Sequence, residues 1–219
     1  MKLSKQFGLL AAISLVAFYA VFFSAADVNL PGNHQGYAPE QPISFSHRLH
    51  SGDLEMSCLY CHSGVEKSPV AGIPAAMTCM NCHRFVTGNW DETQIEQQRA
   101  DQENRDARFI VSAELAKLYQ SVGFNTEEMR YEDDALTRPI EWIRIHQLPD
   151  FVFFDHRSHV TAGVACQSCH GAVEAMERIS QFSDLSMGWC VNCHRDVNNG
   201  LVSELQGRFA STECGVCHY

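Results

Sequence analysis

No cysteine in this 219-residue chain stands alone: all 10 fall into pairs of the form C-x-x-C. With none left over, a stray reactive thiol or an intermolecular disulfide is excluded as the reason for so much cysteine. Basic residues are also scarce. Lys and Arg number 16 against 26 Asp and Glu, a net charge of −10, and that sign excludes nucleic acid as an expected partner. Residues 85–135 contain neither cysteine nor histidine, so metal chemistry belongs to the segments on either side. Charge is missing altogether from residues 6–26.

What the cysteines do have is a fixed neighbour. The pairs are Cys58–Cys61, Cys79–Cys82, Cys166–Cys169, Cys190–Cys193 and Cys214–Cys217, and each is followed at once by a histidine: His62, His83, His170, His194 and His218. A disulfide framework does not demand those histidines. Zinc ribbons give the next position no role. Attachment of c-type haem does require C-x-x-C-H. The two thiols add across the vinyl groups of one porphyrin, and the histidine becomes the fifth ligand of its iron. Five motifs predict five covalent haems c.

Low-spin irons need a sixth ligand each. Six histidines remain: His34, His47, His50, His146, His156 and His159. Four of them lie in two matching motifs, "FSHRLH" (45–50) and "FDHRSH" (154–159), where the histidines are three residues apart and share one face of a helical turn. These motifs open an internal repeat. After each come a C-x-x-C-H, a Val-Glu and a C-x-N-C-H-R, with corresponding residues about 110 positions apart. The site at Cys214 is an addition after the second copy. We expect His47, His50, His146, His156 and His159 as distal ligands. His146 completes the count from within an aromatic segment, and His34 is the alternative for its place. Met176 or Met187 is a further alternative at one iron, and would raise its potential; Met56 is the remaining methionine candidate.

The uncharged run 6–26, preceded by Lys2 and Lys5 and followed by Asp27, spans about 30 Å as a helix, enough for a bilayer core. The lysines place the N-terminus in the cytoplasm and the rest outside. Ser24-Ala25-Ala26 would also suit a signal peptidase, and either reading exports the haem domain. Residues 1–26 are thus expected as a transmembrane anchor contacting lipid. Residues 27–44 form an extended linker, 45–84 the first dihaem module, 85–145 a helical insert with an aromatic segment, and 146–219 the second module with three haem sites. In the insert, "DETQIEQQRADQENRDARFIVSAELAKLYQ" reads as one polar helix turning amphipathic after Arg108. The expected fold is mostly irregular, with short α-helices around covalently bound haems, built as a duplicated module plus one N-terminal transmembrane helix.

The stretches "GYAPEQPISFSHRLHSGDLEMSCLYCHSGVEKSPVAGIPAAMTCMNCHR" and "PIEWIRIHQLPDFVFFDHRSHV" resemble the pentahaem cytochrome subunit of alternative complex III, a bacterial quinol:electron-acceptor oxidoreductase. The Phe-x-His-x-x-His grammar also resembles class III multihaem cytochromes. The first resemblance implies a single-pass membrane protein with a periplasmic haem domain and no catalytic site of its own. Its implied partners are an iron–sulfur subunit of molybdoenzyme-like fold, polytopic quinol-binding subunits and a monohaem cytochrome. The second implies that the first histidine of each pair serves the haem attached just downstream, His47 with Cys58 and Cys61, His156 with Cys166 and Cys169. A free-standing membrane-anchored quinol dehydrogenase and a multihaem reductase are the alternative functions.

Overall fold

The computed structural model describes residues 12–19 and 34–219. Residues 12–19 are helical and exposed, and the remainder of the expected anchor lies outside the described residues. Among the described residues no helix is long and apolar enough to cross a membrane.

Secondary structure is short because turn chemistry interrupts it often. A π-helical turn, Arg48–Asp53, carries the first histidine motif. Helix α1 (Cys58–Cys61) starts where the Ser57 side chain accepts from Leu59 N–H, and α2 (Ala76–His83) carries the second cysteine pair. In the insert, α3 (Trp90–Glu103) is capped by Asn89 and carries Asp91 and Glu92 in its first turn, where they complement the exposed N–H groups. Helix α4 (Ala113–Val122) is capped by Ser112 and stops at Gly123 in the left-handed region. A two-residue hairpin follows, β1 (Phe124–Asn125) against β2 (Arg130–Tyr131), pairing Phe124 with Tyr131. The second half holds α5 (His156–Ala162), α6 (Gln167–His170), α7 (Met187–Asn198) and α8 (Cys214–Cys217). Residues 138–155 run mostly without regular secondary structure between the halves.

The insert differs from the single helix expected. Asn104 adopts a left-handed conformation (φ 49°) and ends α3. The chain then folds back so that Arg105 Nη1 and the Arg108 N–H both donate to the buried Glu96 carboxylate, at 2.7 and 2.9 Å. Thr87 fastens the return strand through Ile110 O and Ser112 N–H. A charge run that reads as a solvated face therefore supplies a buried ion pair.

The apolar core is small. Met80, Leu118, Tyr119 and Phe124 form its centre, with Ile43, Val111, Leu115, Val122 and Ile140 around them. It joins the insert to α2, and Tyr119 donates to His83 O at 2.6 Å. Elsewhere large apolar side chains stand open, among them Phe85, Phe151 and Phe209 at 69, 60 and 84 % exposure.

The two halves dock reciprocally. The Arg48 N–H donates to Met176 O at 2.9 Å, and its guanidinium pairs with Glu177. Gly52 lies so close to the Glu174 carbonyl that any Cβ there would collide with it. Conversely, the His156 N–H donates to Pro69 O at 3.1 Å. Each histidine turn thus rests on the segment that follows the other half's first C-x-x-C-H.

Candidate functional site

Each cysteine pair spans one helical turn, so both thiols face the same way. The turn closes onto the histidine: His62, His170 and His218 donate their N–H to the carbonyls of Cys58, Cys166 and Cys214 at 2.9 to 3.0 Å. None of the ten cysteines is bridged to another. Burial pushes up the thiols of Cys61, Cys79, Cys166, Cys190 and Cys193, and Cys169 to about 11.

The pairs are also neighbours of one another. Cys58 lies near Cys166, Cys61 near Cys79, Cys190 and Cys193 near Cys169, and Cys217 near Cys190. The motifs thus neighbour one another in the order second, first, third, fourth and fifth, with the two halves meeting near Cys58 and Cys166.

The histidines come as opposed pairs. Ring centroids are 6.0 Å apart for His50 and His83, 6.1 Å for His159 and His194, and 6.3 Å for His156 and His170. An iron between two imidazoles, with metal–nitrogen bonds of about 2.0 Å and about 1.1 Å from each nitrogen to its ring centre, requires about 6 Å. His47 has His62 and His50 as its imidazole neighbours; burial first, then these two, lower its pKa to about 4. Burial likewise lowers His83, and His170 to about 4. Neutral imidazole is the form that ligates a metal.

Ring orientation is set from the Nδ1 side. His62, His83, His194 and His218 place Nδ1 at 2.7, 2.8, 2.5 and 3.3 Å from the carbonyls of Gly72, Val86, Ser211 and Phe151. His50, His156 and His159 do so with Ser46, Pro69 and Asp155, at 2.9, 2.9 and 2.8 Å. A carbonyl can only accept, so Nδ1 carries the proton and Nε2 keeps its lone pair for a metal. Phe45 and Phe154 stack on the second histidine of each motif, at 4.4 and 4.5 Å. These supports were not read from the sequence, although the Phe that opens each motif was visible in it. The paired thiols, opposed imidazoles with free Nε2 and thin apolar core together fit haem c.

One expected ligand, His146, and its alternative, His34, sit apart from this pattern. His146 lies with Nε2 3.2 Å from His170 Nδ1, ring centroids 4.4 Å apart. His34 packs edge-on to Tyr37 at 6.1 Å. Of the methionines, Met176 accepts from Ser180 Oγ at 3.9 Å and Met187 is largely exposed.

A family described as cytochrome c7 and related cytochrome c matches residues 152–219. The chain is 32% identical over 189 residues to the menaquinone reductase, multiheme cytochrome c subunit, of Nitratidesulfovibrio vulgaris strain Hildenborough. That similarity covers 82% of this chain and 68% of the relative.

Proposed function

The chain belongs to the multihaem c-type cytochromes, and from that premise we propose that it is a pentahaem electron-transfer subunit of a membrane quinol:electron-acceptor oxidoreductase of the alternative complex III type. The observation that carries this reading is the coincidence of five C-x-x-C-H motifs with imidazole pairs spaced 6.0 to 6.3 Å. Haem c, when bound, supplies a one-electron ferric–ferrous couple. The chain's own residues hold, orient and shield it. The ten cysteines anchor the porphyrins. His62, His83, His170, His194 and His218 are the proximal ligands. His47, His50, His156 and His159 are the distal partners of His62, His83, His170 and His194. The two Phe-x-His-Arg-x-His halves are copies of one dihaem module, with the Cys214 site appended.

In this reading residues 6–26 anchor the chain in the cytoplasmic membrane and the haem domain lies on the periplasmic side. The partners are an iron–sulfur subunit, polytopic quinol-binding subunits and a monohaem cytochrome, and the chain has no catalytic site of its own. A second reading is favoured by the relative's name, which describes a menaquinone reductase subunit: the same relay would serve a complex that reduces quinone. Purification from detergent-solubilised membranes tests both. Co-purifying polytopic and iron–sulfur subunits with quinol-oxidising activity support the first, and quinone reduction by that complex supports the second. A chain that purifies alone contradicts both.

A further inference from the structure

Four of the five proximal histidines lean on a backbone carbonyl, and one does not. His170 Nδ1 meets the Nε2 of another side chain, His146, at 3.2 Å. On its other side His170 faces His156, with centroids 6.3 Å apart and rings within 11° of parallel. The place across an iron from His170 is therefore taken by His156, and the one metal-binding nitrogen that a neutral His146 could offer from Nε2 is already engaged. We propose that His146 is a positioning residue that accepts the Nδ1–H of His170, rather than a distal ligand. The inference rests on the reading that His170 binds haem.

The chemistry follows from the hydrogen bond. An acceptor on Nδ1 fixes the ring's tautomer and orientation and makes Nε2 more basic. A more basic ligand favours the ferric state. At the other four sites that acceptor is main chain and does not vary with the side chain. At Cys166–Cys169 it is a side chain, so this haem's potential is set by residue 146. His146 also leaves the count of distal ligands, and the haem on His218 must draw a sixth ligand from elsewhere or do without one.

The test uses the full-length, haem-loaded chain and its His146→Ala and His146→Gln variants. Low-temperature EPR reads spin state and potentiometric titration reads the individual midpoints. For His146→Ala we expect no new high-spin signal and one midpoint raised. The expected rise is about tenfold in that haem's reduced-to-oxidised ratio at fixed potential, at the low end for an outer-shell partner, or about 59 mV for a one-electron couple. The Gln amide oxygen can accept from Nδ1, so His146→Gln should return that midpoint toward wild type. If His146→Ala fails to mature, His146→Gln still decides, because an amide cannot replace an imidazole as a strong-field ligand. A low-spin haem turning high-spin in either variant makes His146 a ligand and overturns the proposal. Unmoved midpoints in both variants overturn it too. Failure of the underlying haem reading is seen separately, as missing haem mass in the unsubstituted chain.

Discussion

The turn at Phe45–His50 and the turn at Phe154–His159 present their histidines alike but are held differently. The first phenylalanine meets the first histidine edge-on in both, at 4.9 and 4.8 Å and 87°. It stacks on the second histidine at 28° in both. The second histidine hangs from the carbonyl four residues back in both. Behind the rings the likeness ends. His156 Nδ1 donates to Pro69 O, whereas His47 Nδ1 is buried with no hydrogen-bond partner among the described residues. Gly52 is pressed onto Glu174 O, whereas its counterpart Thr161 is exposed. In the proposed reading the repeated part would meet the metal, and the unrepeated part would tune it. Two ligand sets of identical type can then carry different potentials, because outer-shell partners and burial adjust an iron as well as its ligands do.

The largest effect should come from the shared part. His50→Ala and His159→Ala should each convert one low-spin haem to high-spin, with equal amplitude in the EPR spectrum. Unequal amplitudes would break the equivalence of the two turns.

The next effect should expose the difference. Gly52→Thr drives a side chain into the Glu174 carbonyl and should cost about 1–3 kcal/mol of stability, as overpacking does. Thr161→Gly should cost about 1 kcal/mol or less, mainly through helix propensity at an exposed site. Thermal unfolding followed at the Soret band and by far-UV dichroism checks both, and similar losses would mean that the docking is not asymmetric.

Phe45→Leu and Phe154→Leu should lose less, about 0.5–1.5 kcal/mol each for the aromatic pairing, and by matching amounts. Chemical denaturation of the two variants compares them directly.

The smallest effect should miss the haems altogether. The side chain of Arg105, and then the Arg108 N–H, hold the Glu96 carboxyl down to about 2. A carboxyl depressed by folding adds stability above its ordinary range, and that stability is lost as pH falls from about 4.5 toward 2. Acidification over that window should raise amide exchange in α3 and the return strand before the Soret band changes. Glu96→Gln should flatten that dependence.

Much of the site was legible because its chemistry needs side chains at fixed local spacing. C-x-x-C-H and His-x-x-His each fit in one helical turn, and the structure puts them on the short helices α1, α2, α5, α6, α7 and α8 and on the π-helical turn. The supports were not legible. Gly72, Pro69, Ser211 and Phe151 act through main-chain carbonyls, which every residue possesses, so no residue type marks them. His146 was expected as a distal ligand, and its contact with His170 could not be read because His170 lies 24 residues away in sequence. The break at Asn104 was hidden by a charge pattern that looks like a solvated helix. Only the fold-back at Arg105 shows Glu96 to be an internal partner.

The central claim is that every C-x-x-C-H carries a porphyrin. Intact mass spectrometry of the matured chain, read alongside thiol titration, tests it most directly. The account predicts five haem additions and no free thiol. Four or fewer additions in fully matured protein, with a titratable cysteine pair remaining, would contradict it.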